Sequence, residues 1–203
     1  MLIILYIGFY YIIHLFCYKS AQKTGNKYYN NKNKDNNKDN DKNKIHDFFH
    51  ELLPDWSDKE WLINLVGLQH VLPFVFLNTS TQLRFASMLI LILFIRDITI
   101  NLTILPKHKK CKHKHTWYET INGGCYDKIF SGHFTVIYLL SLFYYTSGII
   151  TSIPLLVTMN ILYAFMIIIT RSHYTIDIVM AFFVSSFIFT NNIYLPGFDF
   201  VKS

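Results

Sequence analysis

The chain has 203 residues, 52% of them apolar and 17% aromatic, yet its formal net charge is +6. A mean hydropathy of +0.26 with a pI of about 9.1 excludes an ordinary soluble domain and fits a polytopic membrane protein with basic loops. Three cysteines, Cys17, Cys111 and Cys125, are an odd number without a C-x-x-C pair, so they define neither a disulfide framework nor a compartment.

Residues 1–18 are apolar and uncharged, without a basic n-region or a small-residue cleavage site, and are expected to form a retained first span rather than a removed signal peptide. From Lys19 the composition turns to Asn, Lys and Asp. Residues 19–45 are expected to be a disordered low-complexity loop, too polar to bury a core. Order resumes at His46, with Phe48, Phe49, Leu52 and Leu53 leading into Pro54 and Asp55. A second span is expected over 61–77, containing Asn64, Gln69 and His70 and kinked by Pro73. Polar groups at that depth are expected to face the bundle interior.

A short turn, Asn78 to Gln82, leads to a third span over 84–105, with Arg96 and Asp97 near its middle. An arginine at bilayer depth costs about 2.5 kcal/mol or more unless it is paired or faces a wet cavity, so Arg96 is a candidate functional residue. The basic loop after Pro106 carries His108, Cys111, His113 and His115. Interleaved lysines and the lack of standard ligand spacing argue against a metal site there, and no cofactor is expected. The remaining spans are expected over 133–150, 153–170 and 174–193. The fold class that follows is all-α: six transmembrane helices in one bundle, with residues 46–203 as its main part.

Two compact polar elements interrupt this apolar pattern. Gly123 to His133 opens the fourth span, and its Ser131-Gly132 pair allows backbone amides at a helix start to approach a phosphate. Arg171 to Asp177 opens the sixth, with His173 and Asp177 spaced so that a carboxylate can hold the imidazole in one tautomer. With six spans, alternate helix ends share a membrane face, and Asp55, Pro106, Asp127, His133, His173 and Asp177 fall on one face. Two histidines, a carboxylate, Arg171, Lys128 and a glycine-assisted helix start make a metal-free phosphoryl-transfer set. His173 is the expected nucleophile, Asp177 its orienting partner and His133 the general acid. At a membrane surface the phosphate ester is a lipid headgroup.

These residues resemble the motifs of the sphingomyelin synthase family, a branch of the type 2 phosphatidic acid phosphatase superfamily. Cys125, Asp127, Ser131, Gly132 and His133 match C-G-D-x-x-x-S-G-H-T, and His173, Tyr174, Thr175 and Asp177 match H-Y-T-x-D. Arg96, Thr99, Thr103, Leu105 and Pro106 are similar to R-x-x-T-x-x-x-T-x-L-P, and Leu53, Pro54 and Asp55 to the family's short L-P-D. Arg171 resembles the inositol phosphorylceramide synthase relatives. Tyr126 stands where the motif has glycine and Phe134 where it has threonine, departures expected to bear on headgroup or rate.

The resemblance implies that a glycerophospholipid gives its phosphorylated headgroup, phosphocholine in the first instance, to a catalytic histidine. Diacylglycerol leaves and ceramide accepts the group. It assigns His133, His173 and Asp177 to catalysis and implies substrate contacts from Arg96, Asp127, Lys128, Ser131, Gly132, Arg171 and Tyr174. The expected partners are membrane lipids and a second copy of the chain, not nucleic acid, in the Golgi, endoplasmic reticulum or plasma membrane. The family's active site is exoplasmic, whereas the lysine-rich loops on the same face would be cytosolic by the positive-inside rule. A lipid phosphate phosphatase is the nearest rival, although the chain has no Arg-Pro pair for that enzyme's first motif. A catalytically silent lipid-binding protein is the other.

Overall fold

The computed structural model describes residues 2–35, 45–106, 126 and 128–197, with backbone alone for 30–35. Among the described residues there are seven α-helices, one 3-10 turn and no strand. They are α1 (Leu2–Asp35), α2 (Phe48–Leu52), α3 (Trp61–Val71) continuing as the 3-10 turn Leu72–Phe76, α4 (Thr79–Leu102), α5 (Gly132–Thr146), α6 (Ile153–Ile169) and α7 (Thr175–Thr190). The all-α expectation holds.

α1 does not stop at residue 18. Its 34 residues reach about 51 Å at 1.5 Å per residue, so residues 19–35, expected to belong to a disordered loop, are helical. Extending a nucleated helix costs little per residue, and the extension has a packed face: Tyr18, Ala21 and Gln22 are buried, and Tyr29 Oη donates to the Ile104 carbonyl (3.0 Å). Residues 36–44 lie outside the described residues.

Leu2–Tyr29 and Thr79–Leu102 are long and apolar enough to cross a membrane, whereas Trp61–Phe76, Ile153–Ile169 and Thr175–Thr190 are apolar but shorter. The core helix of a soluble protein would be mostly buried. In α1 only 11% of the most apolar window is buried, and Phe16, Ile12 and Ile4 are exposed, which is the pattern of a face turned to lipid.

α5 is the centre of the bundle and packs against α3, α4, α6 and α7, while α1 packs chiefly along α4. Leu139, Leu140, Phe143 and Tyr144 of α5 join Met88 and Ile92 of α4 in the core. Of the polar residues expected to face inward from the second span, His70 is buried and its Nδ1 donates to the Val66 carbonyl (2.8 Å); Asn64, although accessible, lines a cavity between the helices, and Gln69 is exposed. Pro73 does not kink a continuous helix but sits in the 3-10 turn that ends it.

The ends of the helices are locally encoded. Asn78, Ser131 and Ser152 cap α4, α5 and α6, each side chain accepting from a backbone N–H of the first turn. At the other ends α5, α6 and α7 close in the same way, with a left-handed residue just past the cap: Gly148 (φ 73°), Arg171 (φ 58°) and Asn192 (φ 50°). The N–H groups of Ile149, Ser172 and Ile193 reach back to Tyr144, Ile167 and Ile188, the bonding pattern of a Schellman motif. This abrupt end of α6 leaves only a few residues before α7, and His173 lies among them.

Candidate active site

His173 precedes α7, and Asp177 is the third residue of that helix. The imidazole Nδ1 lies 3.2 Å from Asp177 Oδ2 and 3.3 Å from the Lys128 carbonyl. Both neighbours can only accept, so Nδ1 carries the hydrogen and Nε2 presents its lone pair, the arrangement a nucleophilic histidine requires. Asp177 is fully buried. Its Oδ2 also accepts the Tyr174 N–H (2.9 Å), and Oδ1 has no hydrogen-bond partner. The pair read from sequence is therefore formed, and the same carboxylate fixes the start of the helix that carries it.

His133 is the second residue of α5. It lines, with His173, Arg96 and Gly132, a cavity of about 520 Å³, a size that suits a headgroup and the polar end of a lipid. Arg96 Nε donates to the Phe130 carbonyl (3.0 Å), which places the guanidinium beside the start of α5, where unpaired amides favour an anion. The Ser131 side chain caps this helix start, and Ser131 N–H donates to the Asp177 backbone carbonyl (3.3 Å), tying α5 to α7. The structure thus brings together His133, His173, Asp177, Arg96, Ser131 and Gly132.

The other expected substrate contacts go elsewhere. Lys128 Nζ donates to the Ser172 carbonyl (2.7 Å), Arg171 donates to the Leu53 carbonyl (2.7 Å), and Tyr174 Oη donates to the Pro106 carbonyl (3.3 Å). None of the three lines the cavity; they hold the loops around His173. Asp127, Cys125 and the loop bearing His108, Cys111, His113 and His115 lie outside the described residues. Among the described residues no cluster of His, Cys, Asp and Glu is placed to hold a metal ion.

Three polar residues between positions 46 and 61, Asp47, His50 and Glu60, escaped the sequence reading. Asp47 caps α2 and reaches α7 across the bundle, accepting from Thr175 N (2.6 Å) and Thr175 Oγ1 (2.8 Å). His50 Nε2 donates to the His173 carbonyl (3.0 Å). Trp56 N–H donates to the Ile169 carbonyl (2.8 Å) and Ser172 Oγ to Glu60 Oε1 (3.0 Å), so residues 47–60 form a strap over the α6–α7 turn. The cap signal at Asp47 was readable; its second partner was not.

The strap should loosen in mild acid. Burial holds the His50 imidazole below its ordinary 6.5, reinforced by Arg171 and opposed by Asp47 and Asp177. The unfolded chain therefore takes up that proton first, and stability falls as pH drops below about 6.5. For Asp47 burial works against ionisation, but the bonds from Thr175 and His50 hold its carboxyl below 3.8. Its contribution is intact above that pH and is lost only as pH falls through its lowered value. Thermal unfolding at pH 7.5 and pH 5 should show a lower midpoint at pH 5, and His50→Gln, which keeps a donor for the His173 carbonyl, should shrink that difference.

Both departures from the motifs are accommodated by packing. Tyr126 is completely buried and stacks on Tyr29 at 5.9 Å, over Gly25 of the α1 extension, where a Cβ would overlap the Tyr126 ring. Gly25→Ala should cost about 1–3 kcal/mol by overpacking. Most of that cost should vanish in a Tyr126→Ala background, measured as a double-mutant cycle of thermal unfolding. Phe134 stacks on Tyr138 at 5.7 Å and lines an apolar groove with α6 and α7 residues instead of the catalytic cavity.

Comparison with known families matches residues 124–194 to the model described as PAP2 superfamily C-terminal. No match is found among curated proteins. The matched stretch contains His133, His173 and Asp177 and leaves out Arg96.

Proposed function

We propose, from that PAP2-superfamily segment as premise, that the protein is a six-span membrane phosphotransferase. It moves a phosphorylated headgroup from a glycerophospholipid to ceramide and releases diacylglycerol. Enzymes of this superfamily act on the phosphate groups of lipids, and the chain's exposed apolar helices give it membrane association. The observation that carries the reading is the His173–Asp177 pair opening, with His133, into one cavity.

In the first half-reaction His173 Nε2 attacks phosphorus, the bond from phosphorus to the glyceride oxygen breaks, and His133 gives its proton to that oxygen. Diacylglycerol leaves, and Asp177 supports the positive charge gained by the imidazole. In the second, the ceramide primary hydroxyl attacks phosphorus, its proton passes to His133, and the electron pair of the P–N bond returns to His173. Arg96 and the α5 amides offset the charge that builds on the non-bridging oxygens. Ser131 and Gly132 shape that helix start, while Lys128, Arg171 and Tyr174 position the loops around His173.

Purified protein in mixed micelles with labelled ceramide and a glycerophospholipid tests the proposal. A labelled sphingophospholipid, absent with His173→Ala, is the expected product. Phosphate release from phosphatidic acid without any ceramide product would make the protein a phosphatase instead.

A further inference from the structure

The cavity that His133 and His173 share is polar at one end and apolar beyond it. Past Arg96 and Gly132 its walls include Leu68, Leu93, Val136 and Ile137, and Tyr10 of α1 stands at the boundary. The pairing of α1 with α4 fixes its depth. His14 Nδ1 lies 2.9 Å from Asp97 Oδ1, and the Tyr10 ring meets Phe94 edge-on at 5.4 Å, so the two helices run parallel. At 1.5 Å per residue Tyr10 lies about 3–5 Å from the level of Arg96 and Asp97, towards Leu93 and the apolar walls.

The phenol is held and its hydroxyl is left over. Its ring is stacked on His14 at 5.5 Å, opposite the contact with Phe94, and the hydroxyl is within electrostatic reach of Asp97 and Arg96. Among the described residues that hydroxyl makes no hydrogen bond, and it is not sealed in. An O–H at the edge of an apolar wall calls for a partner.

A lipid whose phosphate is held by Arg96 and the α5 amides carries its nearest polar group a little further in. In a glycerophospholipid that group is the ester carbonyl of the middle chain; in ceramide it is the amide carbonyl. Once ceramide carries the phosphoryl group, the two carbonyls stand the same number of bonds from phosphorus. We infer that Tyr10 is an acyl-carbonyl subsite: its O–H donates to the ester carbonyl of the phospholipid in the first half-reaction and to the amide carbonyl of ceramide in the second. One fixed donor then registers two different lipids on one phosphorus position, which suits a cavity that exchanges diacylglycerol for ceramide. The inference rests on the headgroup-transfer reading of the cavity.

The test compares an ester with an ether. Full-length protein in detergent is titrated with dihexanoyl phosphatidylcholine and with its dihexyl ether analogue, which has the same headgroup and chain lengths but no carbonyl. KM for a long-chain phospholipid and for ceramide is measured in parallel. The wild type should bind the ester more tightly. Tyr10→Phe, which keeps both ring contacts, should lower the ester-to-ether affinity ratio by about three- to tenfold, the size of one neutral hydrogen bond. It should raise KM for both lipids by a similar factor and leave kcat within about twofold.

An unchanged ratio in a folded Tyr10→Phe overturns the subsite, and so does a KM penalty on the phospholipid alone, because the donor is then not shared. Tighter binding of the ether by the wild type overturns it whether or not the variant folds. Absence of any ceramide product, with the ratio still lowered in Tyr10→Phe, removes the transfer reading and leaves the carbonyl subsite standing for the phospholipid.

Discussion

His173→Ala protein should insert and fold normally but release no diacylglycerol and form no headgroup adduct on histidine, a loss on the order of 10⁴-fold or more. Its Nδ1 is held by a fully buried carboxylate on the same helix start, and the ring lines the cavity. Asp177→Asn keeps the shape but no longer sets the tautomer, and turnover should fall by about 10²–10⁴-fold. Single-turnover diacylglycerol release and acid-labile labelling of the protein read both variants. Full turnover in His173→Ala would move the nucleophile to another imidazole of the cavity.

Asp47→Ala should be the most damaging change outside the cavity. It removes the acceptor of both Thr175 bonds and the cap of α2, leaving half-buried donors at the α7 start unmatched, at a cost of about 1 kcal/mol or more. The activity loss should exceed what that destabilisation explains, about 10²-fold, because His173 sits two residues before the released end and small misplacements of a reacting group are expensive. Asp47→Asn, which retains one acceptor, should fall between the wild type and Asp47→Ala in both respects. Unfolding midpoints and kcat measured on the same preparations separate the effects; wild-type kcat in a destabilised Asp47→Ala would show that Lys128 and Asp177 suffice to hold the turn.

What sequence could reveal follows from the range of each interaction. His173 and Asp177 find each other within one turn of chain, so their pairing was legible, as was the helix start at Ser131 and Gly132. The engagements of Lys128, Arg171 and Tyr174 were not, because each meets a backbone carbonyl whose arrival depends on the whole bundle. Asp47 reaches Thr175 across 128 positions, and nothing local announces that. The α1 extension was hidden by its composition: residues 19–35 lack a conventional apolar stripe, and the contact that seats them, Tyr29 against Tyr126, joins distant parts of the chain. His14 is a different case. A lone ionisable residue in an apolar span is a functional signal in its own right, and only its partner Asp97 was read.

The end of α6 sets stability against activity. At the equivalent positions after α5 and α7 the chain places Gly148 and Asn192, residue types that adopt left-handed backbone readily; after α6 it places Arg171. A side chain with a full Cβ stores about 1–2 kcal/mol there, and Arg171→Gly would release it. The same substitution would remove the guanidinium bond to Leu53 and with it part of the strap that fixes His173. A search for thermostable variants will therefore be drawn to position 171, and what it selects there will be sturdier helices around a less well-ordered nucleophile.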